Sequence, residues 1–320
     1  MKKEINLEKY SVRLADKTDS PRILVLINLV QPEIPWTHEH LTWQFFEPSL
    51  EKPKLYVVFE KESLIALYAA VNKNILFEGK VKKGLMIQDV MTHPEHRGQG
   101  LLNYLSSLCI SSIKKNDYYA YTFPNKISEG SFRRNGWKEM SVVPLREVST
   151  ADTLPAGNFK LTINEVDSFK ENVIEIWRKS NLSIGVERNQ EFLNWRYSKP
   201  ATIYHKFLIE NEKGFLVIKL FENEVEKKLH ILDLVVEKKH ISILRPILDF
   251  IRDFSILHGA EKITCWLSEK HPYSKEFSEF GLKLVAQNDR YIFVMAPDKD
   301  LEAFSDLENW NLTEGDSDVY

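Results

Sequence analysis

Residues 84–105 read G-L-M-I-Q-D-V-M-T-H-P-E-H-R-G-Q-G-L-L-N-Y-L, and this stretch decides the fold. It predicts a strand, a short turn and the start of a helix. Leu85, Ile87, Asp89 and Met91 fall on one face of the strand, and Met86, Gln88, Val90 and Thr92 on the other, because side chains alternate along an extended chain. His93-Pro94 ends the strand, since proline has no N–H for the ladder. Beyond it, Arg97-Gly98-Gln99-Gly100 leads into Leu101, Leu102, Leu105, Leu108 and Ile113, spaced as on one face of a helix.

A glycine-rich turn at a helix start gathers N–H groups that have no intrahelical partner, and the helix dipole favours negative charge there. The turn therefore suits a phosphate or pyrophosphate, with Arg97 able to add a charge-assisted contact. A glycine pair by itself is equally the mark of a tight turn. More is needed to choose.

The surrounding pattern V-x-x-x-P-x-x-R-G-x-G, from Val90 to Gly100, resembles the acetyl-CoA site of the GNAT acyltransferase superfamily. The resemblance implies acetyl-CoA, or another acyl-CoA, as co-substrate and no metal. It implies a pyrophosphate held by Arg97, Gly98, Gln99 and Gly100 and by the helix start at Leu101 and Leu102. The pantetheine arm would pair with a splayed strand at Val90, Met91 and Thr92. Leu102 departs from the pattern, since the family usually has Gly or Ala there. Farther on, Asn125, Ser128, Phe132, Gly136 and Trp137 keep the spacing of a second family signature: Asn, a small residue, Tyr, then Gly-Phe. In many members that Tyr protonates the departing thiolate. Phe132 has no proton to give, and Tyr121, Ser128 and Ser131 are nearby hydroxyls away from the family position.

The candidate base is Asp89, eight residues before Arg97 in an apolar neighbourhood expected to raise its pKa. The alternative is a strand Asp that binds a neighbouring backbone or Arg. Glu95 reads as an exposed turn residue. The aromatic segment W-T-H-E-H-L-T-W-Q-F-F-E-P corresponds to one wall of the family's acceptor site, which makes Trp36, Trp43 and Phe46 candidate substrate contacts. Packing of a helix onto a sheet would use the same residues.

Composition narrows the classes. The chain has 320 residues, enough for two domains each with its own core, and its 43% hydrophobic and 28% charged content is that of a globular protein. A net charge of -3, with Lys interspersed among Glu, argues against nucleic acid as partner. Cys109 and Cys265 sit among apolar residues and read as buried thiols, not a disulfide frame. No apolar h-region follows Met1-Lys2-Lys3, and the apolar run 23–30 is far short of the ~20 residues that span a bilayer. A cytoplasmic protein with no membrane partner is expected. His38 with His40, and His93 with His96, lack the further ligands of a metal site.

Around the central stretch, Pro21 opens a helix carrying Ile23, Leu24, Leu26, Ile27 and Val30, with Asp19 or Ser20 as its cap. Residues 55–60 and 64–72 alternate as a hairpin, and 75–85 lead into the key strand. Residues 119–123 read as a strand and 127–136 as a short helix stopped by Gly136.

The second half repeats the plan. Strand 159–163 and a helix through Val173, Ile176 and Trp177 precede F-L-N-W-R-Y-S-K-P, which parallels H-L-T-W-Q-F-F-E-P, with Trp195 standing where Trp43 stands. Strands 204–209, 215–220 and 229–236, helix 241–257, strand 262–267, a helix around Phe277 and Phe280, and strand 291–295 complete the set. Where the first half has H-R-G-Q-G, the second has E-K-K-H-I-S-I, with no glycine turn.

The expected fold class is α/β (α+β): two tandem GNAT-like domains, each a mixed central sheet flanked by helices. The expected divisions are 1–150, which binds acyl-CoA; 151–300, a degenerate copy; and an acidic tail, 301–320. An unrelated α/β domain is the alternative for the second half. The tail's composition is that of disorder, yet Trp310, Leu312, Val319 and Tyr320 suggest that it packs. In some tandem relatives the C-terminal carboxylate serves as base, which makes Tyr320, or Asp316 or Asp318, a further candidate. The expected activity is acyl transfer from acyl-CoA to the amine of a small molecule such as an amino sugar. A non-catalytic CoA-binding sensor or interaction module is the alternative, and aminoacyl or peptidyl transfer on the same tandem fold is a third. Nothing in the pattern sets the oligomeric state.

Overall fold

The computed structural model describes residues 5, 8–48, 50–154, 157, 161–180, 182–286 and 290–318. The chain opens with β1 (Ser11–Leu14), α1 (Ser20–Val30), α2 (His38–Leu41) and a π-helical turn, Thr42–Phe46. Next come β2 (Lys54–Glu60), β3 (Ser63–Phe77), β4 (Lys80–Thr92), α3 (Leu101–Lys115), β5 (Tyr119–Thr122), α4 (Glu129–Arg134) and β6 (Lys138–Val142). The second run is β7 (Leu145–Ser149), β8 (Ile163–Glu165), α5 (Val173–Lys179), β9 (Ile184–Val186), α6 (Gln190–Arg196), β10 (His205–Ile209), β11 (Gly214–Glu222) and β12 (Lys227–Val236). It ends with α7 (Leu244–Leu257), β13 (Lys262–Trp266), α8 (Ser274–Phe280), β14 (Lys283–Leu284), β15 (Tyr291–Met295) and α9 (Leu301–Phe304).

These elements form two mixed sheets, each flanked by helices, as the repeat predicts. One compact unit comprises Met1–Ile75, Val81–Ser141 and Asp289–Ser305; the other comprises Leu76–Lys80, Val142–Asn288 and Asp306–Tyr320. A linear division at 150 differs from these units by two strands. β15, in the 151–300 segment, lies in the first sheet between β5 and β6, in the order β1-β2-β3-β4-β5-β15-β6. β7, in the 1–150 segment, lies in the second sheet, in the order β14-β7-β13-β12-β11-β10-β8. β9 also pairs with β3, so the first sheet takes in two strands from the second half of the chain and the second sheet one from the first, because backbone pairing, not chain order, sets a strand's place.

β15 and β7 suit their positions. Ile292, Phe293 and Val294 are fully buried, as a central strand of the first sheet requires. In β7, Arg146 is buried, and its guanidinium donates to the Leu267 and Leu282 carbonyls and to the Ser274 and Ser278 hydroxyls at 2.8–3.1 Å. This one side chain ties β7 to α8 and its flanking loops.

In the first unit, helices cover both sheet faces. Leu55, Val57 and Phe59 of β2 join Leu67, Ala69 and Val71 of β3 under α1, where Ile23, Leu26 and Ile27 meet them. Tyr56, Val58, Tyr68, Ala70, Leu85 and Ile87 face the other way, under Leu101, Leu105, Cys109 and Ile113 of α3. α1 starts at Ser20 with Pro21 in its first turn; Asp19 precedes it, but its carboxylate binds Arg13 and the Asp16 amide instead of capping the helix. The β3–β4 hairpin turns through Glu78 and Gly79, both at positive φ (49° and 73°), which matches the twist of the paired strands.

The second unit uses the same plan. Leu216, Ile218, Leu229, Ile231, Leu234 and Val236 pack under Leu244, Ile247, Leu248 and Ile251 of α7 and Phe277 and Phe280 of α8. α5 crosses β11 and β12. No helix among the described residues is long and apolar enough to cross a membrane.

Candidate functional site

The site forms where β4 loses its neighbour. β4 and β5 pair in parallel from Gly84↔Tyr119 to Ile87↔Thr122, where the register ends, and β4 runs on to Thr92. On its other side the strand stays tied to β3, and the His93 amide donates to the Ile65 carbonyl at 2.8 Å. The backbone at 88–92 thus has one edge turned away from the sheet.

The strand also slips phase here. Asp89 has φ 48°, a left-handed conformation inside a strand. It acts as a bulge and re-aims everything after it. Val90 packs with Leu85 and Ile87 under α3, whereas Met91 lies in the α1 core on the opposite face. Strict alternation therefore fails beyond residue 88: Met91 is not on the Leu85 face, and Val90 is. β3 carries a matching slip, since Val58 pairs with Ala66 and Phe59 with Leu64, leaving Ile65 over. Asp89 is half-buried, and its carboxylate accepts a hydrogen bond from the Gln88 side-chain Nε2 at 3.0 Å. Gln88 itself is 5% exposed and was not among the sequence candidates.

The strand runs directly into the glycine turn. After a single helical turn at Pro94–His96, Gly98 and Gly100 take φ 73° and 80°, where a side chain is strained. A Cβ on Gly98 would meet nothing within 4 Å, so conformation, not crowding, calls for glycine. Gly100 caps α3 with no side-chain hydrogen bond, and the first helical bond is the Tyr104 amide to the Gly100 carbonyl. The amides of Leu101, Leu102 and Asn103 are orphans of the kind that hold anions. Arg97 and Gly98 are exposed and Gln99 is half-buried, so the turn is open to a ligand.

Asn125 follows β5, and its side-chain oxygen accepts from the Ile127 and Ser128 amides and the Ser128 hydroxyl at 3.0–3.1 Å. It shapes the entry to α4, with Ser128 as N-cap. Phe132 is 4% exposed and packs against Tyr68, Trp137 and Phe293. Burial pushes the Tyr68 phenol well above its ordinary value, so it stays protonated in the same core.

Trp36 and Phe46 are partly buried against the α1 core that contains Met91, and Trp43 is buried. Trp36 stacks on His40 with ring centroids 3.9 Å apart, and its backbone is held by both polar atoms of Asn28. The three aromatics thus also perform the packing role. The π-helical turn that carries Trp43 and Phe46 is a rare conformation frequent at functional sites.

The tail candidates divide. Tyr320 lies outside the described residues, and Asp318 is exposed. Asp316 is in the second unit, 2.8 Å from Arg188 in a fully buried pair. Its burial pushes its pKa up. A second Asp escaped the sequence reading: Leu85-Met86-Ile87-Gln88-Asp89-Val90 is matched by Leu229-His230-Ile231-Leu232-Asp233-Leu234. Asp233 is fully buried and bound by Arg188, Tyr197 and Thr313. The signal was present as a shared L-x-I-x-D spacing. Among the described residues no group of three His, Cys, Asp or Glu could hold a metal.

Residues 11–140 match the family model described as an acetyltransferase (GNAT) domain. No curated protein matches the chain in sequence. Among solved structures, the chain is similar to a conserved protein of unknown function from Enterococcus faecalis V583, described as a probable N-acyltransferase. That match has TM-score 0.72 and 14% identity, and covers 90% of this chain and 72% of that one. A GCN5-related N-acetyltransferase from Anabaena variabilis ATCC 29413 gives TM-score 0.69 and 14% identity over 89% and 72% of the two chains. Saccharomyces cerevisiae N-myristoyltransferase with bound myristoyl-CoA gives 0.63 and 12% over 92% and 84%. At these identities the likeness is one of fold.

Proposed function

We propose that the protein is an N-acyltransferase that moves an acetyl or other acyl group from acyl-CoA to the amine of a small molecule, an amino sugar being one candidate. The observation that carries this reading is the junction of two features: the edge of β4 left open past Ile87, and the Gly98–Gly100 turn directly after it. An extended thioester arm fits the first, and a pyrophosphate fits the second.

In this reading Arg97, the turn and the amides of Leu101 and Leu102 hold the pyrophosphate. The backbone of Val90, Met91 and Thr92 pairs with the pantetheine arm and donates to the oxyanion. Asn125 and Ser128 shape the opposite side. Asp89 takes a proton from the attacking amine, directly or through water. Trp36, Trp43 and Phe46 wall the acceptor. The thiolate leaves without an acid at position 132; with a free-thiol pKa near ~8.5 this slows transfer but does not forbid it. The chain needs no other compartment than the cytoplasm for such a reaction.

The second reading, a CoA-binding module without turnover, draws on Phe132. Calorimetric titration with acetyl-CoA, beside an Arg97→Ala, Gly100→Glu double variant, tests the site. Binding lost in the variant supports it; no binding to the unaltered protein overturns both readings. Release of free CoA thiol with a panel of amines then separates enzyme from binder.

A further inference from the structure

The second sheet opens at the same place as the first. β12 pairs with β13 from Lys228↔Lys262 to Ile231↔Cys265, and the register ends there. The phase slips there too. Val217 pairs with Asp233 and Ile218 with Ile231, so Leu232 is left over, and the buried set passes from Leu229 and Ile231 to Leu234 and Val236. This opening is filled by the chain itself.

Residues 310–317 are buried throughout. Trp310 (2% exposed) bridges Ile184 of β9 in parallel, and the Asn311 amide donates to the Ile184 carbonyl at 2.7 Å. Asn311 accepts from His271 at 3.0 Å through its side-chain oxygen, while the Tyr273 hydroxyl bonds both the amide and the carbonyl of Val236 on β12. Arg188 reaches Thr313 and Asp316 as well as Asp233. Arg196 donates to the carbonyls of Gly315 and Ser317 at 2.9 and 2.8 Å. Glu314, with no exposure, accepts from Thr264 and lies 3.1 Å from His230. Gly315 has no room to be anything else: a Cβ would lie 2.3 Å from the Tyr197 hydroxyl and 3.1 Å from the Leu232 carbonyl. A residual cavity of about 20 Å³, lined by Cys265, His271, Tyr273, Asn311 and Thr313, is enough for one water and far too small for a cofactor arm.

We propose that the opening of the second sheet is a peptide slot whose ligand is the chain's own acidic segment 310–317. The recognition has the parts of a peptide complex: two apolar anchors (Trp310 and Leu312), two carboxylates, a glycine at the tightest point, and two arginines. Arg188 reads a side-chain carboxylate and Arg196 reads backbone carbonyls. The segment closes the slot to any other extended ligand. This assignment does not depend on acyl transfer by the first unit.

The test uses full-length protein and a dye-labelled peptide spanning 309–320. In the Gly315→Leu protein the resident segment cannot seat, and the labelled wild-type peptide is expected to bind in trans by fluorescence polarisation and raise the melting temperature. The unaltered protein, its slot filled, is expected to bind it at least about tenfold more weakly, a difference of ~1.4 kcal/mol. A Gly315→Leu peptide is expected to bind neither. Equal binding of the two peptides, or none to the variant protein, overturns the proposal. Should that variant not fold, a protease site inserted after the exposed Asp306 lets the folded chain be cut instead. The freed segment is then expected to stay bound through gel filtration and to exchange with labelled peptide; its immediate loss with an unchanged melting temperature overturns the proposal.

Discussion

Ile87 and Met91 stand four residues apart on one strand, yet they pack in cores on opposite faces of the sheet. Between them, Asp89 at φ 48° takes up one residue's worth of alternation. The slip coincides with the end of pairing to β5, so one local feature both opens the strand edge and places a carboxylate beside it.

In the proposed reaction Asp89 has two separable roles, one in the backbone and one in proton transfer. Asn tolerates the left-handed conformation, so Asp89→Asn should change stability little, by about 0.5 kcal/mol or less, while turnover falls roughly 10²–10⁴-fold. Asp89→Val should in addition cost about 1–2 kcal/mol, because a branched Cβ meets the following carbonyl. Urea unfolding alongside thiol release measures both. Unchanged turnover in Asp89→Asn would remove it from the mechanism.

Gly98→Ala isolates conformation from contact, since the new methyl points into open space. About 1 kcal/mol of strain should appear in the unfolding free energy. Acyl-CoA affinity should fall as the amides tilt. Arg97→Ala, an exposed side chain, should leave stability within about 0.5 kcal/mol yet weaken acyl-CoA binding about tenfold or more. Calorimetry reads the second quantity.

Phe132→Tyr restores a hydroxyl at the position where many family members hold their acid. Because the ring is packed among Tyr68, Trp137 and Phe293, the added group should cost about 1–3 kcal/mol and bring no gain in turnover. A clear rise in turnover at neutral pH would show instead that the ring edge reaches the thiolate.

Arg146→Met tests the exchanged strand of the second unit. It strands two carbonyls and two hydroxyls that now share one guanidinium, and about 2–4 kcal/mol should be lost. Chemical denaturation with a fluorescence probe in the second unit follows it.

His271 makes the second unit acid-sensitive. Burial lowers its pKa to about 4 from 6.5; the Tyr273 amide donates to its Nδ1, which leaves Nε2 to donate to Asn311. The unfolded chain takes up a proton near 6.5 that the folded chain refuses until about 4. Stability from this group is complete above 6.5 and lost as pH falls through that window, by about 3 kcal/mol in all. His271→Gln should flatten the loss between pH 7 and 4.5 in urea titrations; an unaltered slope would exclude His271 as its source.

Much of this was legible in residue order. The strand, the proline stop, the glycine turn and the helix after it follow from local rules, and so do the hairpin of β2 and β3 and the helix stop at Gly136. The repeat was legible too, more sharply in the paired L-x-I-x-D segments than in Trp43 and Trp195. The alternating pattern could not reveal that Asp89 adopts a left-handed conformation. Asp is tolerated there but is common in ordinary loops and strands, so the residue type alone gives no warning.

Residue order by itself determined the element types, the two-sheet plan and the anion-suited turn, because periodicity, glycine and proline act within a few residues of chain. Tertiary structure alone decided that β7 and β15 change sheets, that Phe132 faces a core, and that the acidic tail is buried beside Arg188 and Arg196. Each of these is a competition for pairing edges and for buried charge between residues far apart in the chain. Such a competition is settled by which partners fit when all are present, and no local pattern records its outcome.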